Sequence, residues 1–538
     1  MTSKRAFWAV VILLVTLMAA IEVTSALQEN QTFDEGTHLA AGFVYLKTGV
    51  FLNVEHPPLM KILAAYAVWP LHPTLSTEGP AWNPLDEFAI GSDFLYKNRV
   101  PAERLLFAGR MVTILFSLVL ALTVAVWTRA HFGPAAALLA LFLFTFDPNL
   151  IAHGRYITND LHITLLVFLA CVTWGAYLQN GRWRNLFLAG AFLAAAVTTK
   201  FSAVILFPVF LALYGIAWWQ RPRDFSLGRV AKILLVVIVC CMAMLAIGYA
   251  PLTSGPAPAR MFTLPVAMWA DGFGRLLEHN HSGQSSYLLG KISSHGWWYF
   301  FPVVFAVKTP TAVLFLTLFC LGLFCIGLAA RRFSLQSLRS LPLKWFVLFV
   351  PMAAYFLACM CSNINLGVRH LLPIYPFLFV LLSAILMQTP GHVVRMVICV
   401  AIVLEAVESL RIYPNYLAFF NTPSGGPANG ASYLVDSNLD WGQDLKKLRT
   451  WWDGHGHPPL GLVYFGGADR AYFGLPPNEL PASWDKSSIE NADCIAAISA
   501  TLLKDVYVRP GSYQWLRELR PMGTVGYSIY LFDLRKKR

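Results

Sequence analysis

The sequence predicts a polytopic α-helical membrane protein with about 11 spans, outward amphipathic surface helices and a small C-terminal α/β domain. Three observations predict it. Hydrophobic residues make up 57% of the chain and charged residues 13%, against roughly 25% charged in a soluble domain. Apolar stretches long enough to cross about 30 Å of hydrocarbon recur along the chain. The basic residues fall in alternate turns between those stretches, so the net charge of +12 is a topology signal and not a nucleic-acid one.

The spans fall near 6–27, 105–127, 134–147, 161–179, 186–199, 202–219, 230–250, 300–328, 345–361, 370–388 and 392–411. The stretches 134–147 and 186–199 are short for a full crossing. With Lys4 and Arg5 cytoplasmic, the even-numbered turns are cytoplasmic too. They carry Arg129; Arg182 and Arg184; Arg221, Arg223, Arg229 and Lys232; Arg331, Arg332, Arg339 and Lys344; and Arg395, opposed only by Asp224. The positive-inside rule then puts the C-terminal segment outside. The first span lacks a small-x-small cleavage site and reads as a retained anchor. Eight of the nine cysteines lie in or beside spans and Cys494 stands apart, so no disulfide framework or metal spacing is present.

Four outward regions differ from plain connections. Residues 28–104 hold two surface-lying helices, 35–48 and 58–69, the second starting after two prolines. Residues 147–160 form a short turn. Residues 251–299 form an outer substrate loop rich in Gly, Pro, His and aromatics, too long for a mere connection. The chain thus divides into a transmembrane part, 1–411, and a soluble tail, 412–538, with strands at 461–467, 494–501 and 525–534 and a helix at 440–454. Asp436, Asp440 and Asp444 read as helix caps rather than a calcium loop. The tail is expected to tune the acceptor and not to carry the chemistry.

Glu22, Arg110, Asp160, His162, Lys200, Lys308, Arg369, Glu405 and Glu408 lie within or at the mouths of spans, each toward the outer half. A charge at mid-bilayer costs at least a few kcal/mol, so such groups face a cavity and a partner. The pattern predicts one polar cavity open to the outer side. Lys200, at the end of its span, reads as an interfacial anchor.

The chemistry concentrates in the loop after the first span, FDEGTHLAAGFVYLKTGVFLNVEHPPLMK (33–61). A carboxylate at a membrane surface with cations nearby suits transfer of a sugar from a lipid phosphate. The departing phosphate needs positive charge from Arg or Lys. The acceptor hydroxyl gains roughly 10²–10⁴-fold from a general base. One base and one phosphate clamp suffice for a single displacement with inversion, because a covalent intermediate would require a second carboxylate in another role. On a helix start Glu35 points about 100° away from Asp34.

The segment FDEGTH…VEHPPLMKIL resembles the FDE…HPPL-x-K signature of protein O-mannosyltransferases and their bacterial relatives. These belong to the C-type glycosyltransferase (GT-C) superfamily, which includes the lipid A aminoarabinose transferases. AGRMVTILFSL (108–118), HGRYITNDLHI (153–163) and INLGVRHLLPIYPFL (364–378) are similar to further segments of that superfamily, and the likeness covers roughly 6–210 and 361–411. The resemblance implies a hexosyl- or pentosyltransferase. Its donor would be a polyprenyl-phosphate-sugar lipid and its acceptor a hydroxyl on a protein, lipid A or a glycan. It implies a bacterial cytoplasmic (inner) membrane, with the active site facing the periplasm or exterior. It implies Asp34 as catalytic base with Glu35 beside it, and Glu55 and His56 shaping the site. Lys61, Arg110, Arg155 and Arg369 are the candidates for the donor phosphate. Asp160 matches a second acidic position that binds a divalent metal in some members, here together with Asp34. From the residues themselves, His279 and His281 of the outer loop and Lys308 join as candidate substrate contacts. The rival class is a transporter or lipid flippase without covalent chemistry, but paired Gly/Pro-broken spans in two halves are missing.

Overall fold

The computed structural model describes residues 4–224, 226–253, 264–329, 335–483 and 492–535. Helix α1 (Lys4–Ala26) leads into a first loop region built from α2 (Glu35–Thr48), α3 (Leu59–Val68) and α4 (Glu87–Tyr96). Then come α5 (Ala102–Phe132), α6 (Pro134–Phe146), the short α7 (Pro148–His153), α8 (Asp160–Asn180), α9 (Trp183–Val197), α10 (Leu206–Gln220) and α11 (Leu227–Thr253). A second loop region holds α12 (Pro265–Ser282) and the hairpin β1 (Ser286–Leu288) and β2 (Lys291–Ser293). The bundle resumes with α13 (Phe300–Lys308), α14 (Thr311–Ala329), α15 (Leu335–Ser340), α16 (Leu343–Met360), α17 (Tyr375–Gln388) and α18 (His392–Ile412). The tail contains α19 (Leu445–Gly454) and strands β3 (Leu460–Val463), β4 (Ile495–Ser499), β5 (Gly523–Val525) and β6 (Ile529–Asp533).

Among the described residues, 8 helices are long and apolar enough to cross a membrane. The other three expected spans exist as helices with different character or are redrawn. α6 and α9 are apolar but only 13 and 15 residues long. α18 carries Arg395, Glu405, Glu408 and Arg411. The expected 300–328 span is broken after Lys308, where Pro310 lacks the N–H that a continuous helix needs. Arg331 and Arg332 of the expected basic turn, and 254–263 of the outer loop, lie outside the described residues. Leu120, Val124, Leu139, Phe144, Phe168 and Phe377 belong to one buried apolar core, which also takes in Tyr287 and Leu288 of the second loop region and Leu434 and Val435 of the tail.

The two expected helices form because their ends are marked, but α2 is buried from Glu35 to Tyr45 rather than lying on the surface. Gly49 closes α2 at φ 69°, with its N–H on the Tyr45 carbonyl, a conformation that glycine adopts without a Cβ penalty. Pro57 and Pro58 precede α3. The two helices touch at Gly42, where a Cβ would lie 1.9 Å from the Lys61 carbonyl oxygen.

In the tail the sheet order is β3-β4-β6-β5, with β3 and β4 parallel and the other pairs antiparallel. The expected strand 525–534 is a hairpin turn and a strand instead. Gly526 (φ 60°) and Tyr527 (φ 66°) reverse the chain between β5 and β6, as two left-handed residues do. The expected helix 440–454 begins only at Leu445, and the aspartates do not cap it. Asp444 accepts from the Ser528 hydroxyl at 2.7 Å and pairs with Lys447 at 2.6 Å. Asp440 accepts from the Thr501 amide at 2.9 Å.

Asp440 is 1% exposed, and burial pushes its carboxyl up to about 7 despite the Thr501 hydrogen bonds. The folded chain therefore keeps a proton that an unfolded chain, with a carboxyl near 3.9, has already lost. Its contribution to stability falls as pH rises from about 4 to 7. Asp440→Asn is expected to remove that fall, so thermal unfolding should favour the variant increasingly from pH 5 to 8. A difference between the two proteins that does not change with pH would contradict the assignment.

Candidate active site

One cavity of about 730 Å³ lies where the first loop region, α8, α12, α16, the turn before α17 and the tail meet. Its polar part is lined by Asp34, Asn159, Lys200 and Arg369, its rim by Glu55, His56 and His279. An apolar flank is made by Ile205 before α10, Leu276 and Leu277 of α12, and Tyr355 and Ala358 of α16. The tail contributes Asp436, Trp441, Phe465 and Tyr507, so it forms part of the cavity wall rather than a separate accessory.

Asp34 immediately precedes α2, and its side chain is 21% exposed. Arg369 Nη1 donates to Asp34 Oδ2 at 3.0 Å. The same guanidinium lies 3.8 Å from Asp160 Oδ2 and 4.6 Å from the Trp441 ring centroid. Lys200 Nζ donates to Asp160 Oδ1 at 2.5 Å. Charges thus alternate along a row: Asp34, Arg369, Asp160, Lys200. Asp160 is itself fully buried at the first turn of α8, where the helix dipole favours an anion. It touches both cations, so it fixes their separation before any substrate arrives.

The other ionisable residues of the expected site hold the frame. Glu35 is fully buried and receives both arms of Arg110, at 2.8 and 2.7 Å, with the Thr32 and Ile157 amides at 2.8 and 3.0 Å. Burial pushes the Glu35 carboxyl upward, but Arg110 and those amides outweigh it and the net displacement is downward. Arg110 also donates to the Ala26 and Asn30 carbonyls at 2.7 and 2.8 Å. Arg155 pairs with Glu29 at 3.0 Å, and Tyr156 donates to the same carboxylate at 2.8 Å. Lys61 donates to the Asn53 and His56 carbonyls, both at 2.8 Å, so it shapes the His56 turn from behind. Lys308 donates to the carbonyls of Leu417, Phe419 and Asn438 at 2.9, 2.5 and 2.7 Å. None of Glu35, Lys61, Arg110, Arg155 and Lys308 lines the cavity. Lys61, Arg110 and Lys308 are held by carbonyls or a carboxylate instead, and Arg155 is held by Glu29 through Nη2 while its Nε and Nη1 stay buried without a partner.

At the rim, Glu55 and His279 approach to 3.2 Å. His281 is exposed and does not line the cavity. The His56 ring meets His38 edge-on at 5.2 Å. Burial, reinforced by the charges of His38, Lys61, Lys200 and Arg369, lowers the His56 pKa well below its ordinary value, so the ring is neutral at pH 7. Asp34 and Asp160 do not fit a divalent metal, because both carboxylates flank the Arg369 guanidinium. Among the described residues no three His, Cys, Asp or Glu are grouped to hold one.

Sequence reasoning missed Lys200 as a site residue, as well as His38 and the tail residues. Lys200 carried a signal, a charge at the mouth of a span, but reads the same as an anchor. Asp436 sits beside Arg369 because the tail turn docks on the segment before it. Gly367 (φ 138°) leaves room for Asn438, whose Oδ1 would lie 2.1 Å from a Cβ there. Val368 N–H donates to the same oxygen at 3.0 Å.

A family model described as dolichyl-phosphate-mannose-protein mannosyltransferase matches residues 11–251. The crystal structure of ArnT from Cupriavidus metallidurans in the apo state superposes with TM-score 0.52 at 13% identity, covering 99% of this chain and 98% of that one. The same protein bound to undecaprenyl phosphate gives TM-score 0.46 at 13% identity, over 98% of each chain. The Archaeoglobus fulgidus oligosaccharyltransferase in the apo form gives 0.49 at 13% identity, covering 90% of this chain and 62% of that one. No curated protein matches the sequence. Family match and fold point the same way: a multi-pass membrane protein similar to glycosyltransferases, the family match covering fewer than half of its residues. Residues 11–251 are similar to the protein mannosyltransferases, and the whole chain shares the fold of ArnT.

Proposed function

We propose that the protein transfers a sugar from a polyprenyl-phosphate-linked donor to a hydroxyl acceptor, in one inverting displacement, on the outer side of a bacterial cytoplasmic membrane. The observation that carries this reading is the amphiphilic cavity. Two cations held by Asp160 stand at one end, an apolar flank from the turn before α10 and from α12 and α16 stands beside them, and Asp34 lies 3.0 Å from the nearer cation. The apolar flank suits a prenyl chain and the cations suit its phosphate. The name of the matching family, with its dolichyl-phosphate-mannose donor, supports the same chemistry.

In the step, Asp34 takes the proton of the acceptor hydroxyl as its oxygen bonds to the anomeric carbon. The bond from that carbon to the phosphate oxygen breaks, and its electron pair leaves with the lipid phosphate. Arg369 and Lys200 meet the second charge that develops there, and preorganised charge of this kind is worth several kcal/mol in a low-dielectric site. Asp160 acts through these cations as a positioning residue. Glu55 and His56 shape the rim where the acceptor enters, with His279 beside Glu55. Positive-inside bias supports the outward placement of the site and tail.

The test is release of free polyprenyl phosphate from polyprenyl-phosphate sugars by purified protein. Arg369→Met is expected to reduce release at least tenfold and to weaken donor binding. Absence of release across hexose and pentose donors, with the protein folded and with protein, lipid A and glycan acceptors supplied, would remove the reading.

A further inference from the structure

The tail side of the cavity holds a pair of residues that the displacement chemistry leaves unused. Asp436 and Tyr507 both adopt left-handed backbone, at φ 56° and 65°. Non-glycine residues persist there only when their surroundings impose it, and such positions gather at ligand sites. The Tyr507 hydroxyl donates to Asp436 Oδ2 at 2.5 Å and accepts from Gln284 Nε2 at 3.0 Å. Asp436 Oδ1 receives the Ser437 amide at 2.5 Å. All three side chains line the same cavity as Asp34 and Arg369, and they come from the second loop region and two separate turns of the tail.

An aromatic wall connects this corner to the reacting centre. The Tyr507 ring stacks on Phe465 at 5.4 Å, Phe465 stacks on Phe33 at 5.3 Å, and Phe33 meets Phe88 at 5.1 Å. Phe33 is the residue before Asp34. A carboxylate corner repels phosphate, which belongs at Arg369 and Lys200. A carboxylate beside aromatic faces suits a neutral polyol, whose hydroxyls donate to the acid and whose C–H faces lie on the rings.

We infer that Asp436, oriented by Tyr507, binds hydroxyl groups of the transferred sugar, making the tail the specificity wall for the donor. The inference rests on the donor reading above and adds a residue role to it. The sugar then spans from the phosphate at Arg369 to the Asp436 corner, with its anomeric carbon facing Asp34.

Equilibrium binding to the full-length protein in detergent tests this. The probes are the methyl phosphodiester of undecaprenol, which has the donor's charge but no sugar, and a panel of undecaprenyl-phosphate hexoses and pentoses. Wild type is expected to bind at least one sugar-bearing lipid about tenfold or more tightly than the methyl diester, as hydrogen bonds to a charged group allow. Asp436→Asn, which tolerates left-handed backbone, should erase most of that advantage and leave methyl-diester affinity within about twofold. Tyr507→Phe should erase part of it. The inference is overturned if Asp436→Asn keeps the advantage, if it weakens both lipids equally, or if no sugar in the panel improves on the methyl diester. Failure of wild type to bind any of these lipids would overturn the donor reading itself, and this subsite with it.

Discussion

Replacing Asp34 with asparagine is expected to lower sugar transfer at least 10²-fold, the usual consequence of removing a general base, while donor affinity holds or rises. The two effects have one geometric cause. Asp34 shares Arg369 with Asp160, at 3.0 and 3.8 Å. Asparagine keeps the shape but neither accepts the proton nor competes as a charge for the guanidinium. Arg369 is then freer to meet the donor phosphate. Initial rates at saturating donor, set beside equilibrium binding of the same donor, separate the two. Turnover above about a tenth of wild type would remove Asp34 from the role of base. A loss of donor binding matching the loss of turnover would point to a role in donor positioning.

Arg110→Met is expected to act on stability and not on the chemistry. Arg110 is 2% exposed and Glu35 fully buried, and they share a two-armed ion pair. Removing one partner leaves a buried carboxylate uncompensated, which costs about 3–5 kcal/mol. The unfolding midpoint should therefore fall by many degrees, and Glu35→Gln should shift it in the same direction. The double variant should recover part of the loss, since neutral partners cost less than a single orphaned charge. Thermal unfolding of the three variants checks this. If Arg110→Met unfolds like wild type and yet binds donor tenfold more weakly, the phosphate role implied by the resemblance of its span, AGRMVTILFSL, is the correct one.

Glu35 and Arg110 show where sequence reading succeeds and where it stops. The 100° turn between adjacent helical residues places Asp34 and Glu35 on different sides, and the structure has Asp34 in the cavity and Glu35 in the frame. The helices at 35–48 and 58–69 were legible because glycine and proline mark their ends, but the burial of α2 from Glu35 to Tyr45 was not. Depth of charge in the spans located a polar region, but it did not say which charges are free. Lys308 and Lys61 are satisfied by backbone carbonyls, which every sequence supplies equally. Arg110 and Arg155 find their acids 75 and 126 residues away, separations that carry no local pattern. The aspartates of VDSNLDWGQD read as helix caps because polar residues ahead of a helix usually are. Asp436 gains its place from a tail turn that docks on Gly367, a contact that no periodicity announces.

The cavity wall joins Asp34 to Asp436 and Tyr507, residues far apart in chain order. Its timing during synthesis follows from that. Helices emerge and pack in chain order at about 5–20 residues per second, so Asp34 and its neighbours are in place long before Asp436 and Tyr507 leave the ribosome. Until residues 436–507 are made, the base stands in an open groove without its tail side. A nascent chain arrested before residue 436 is therefore expected to bind lipid phosphate through Arg369 and Lys200 without discriminating among sugars. Selectivity would arrive only with the segment that carries Asp436 and Tyr507. Ribosome-bound chains of increasing length, probed with a photo-crosslinking polyprenyl-phosphate sugar, would show that order. Sugar selectivity already present in chains that end before residue 436 would refute it.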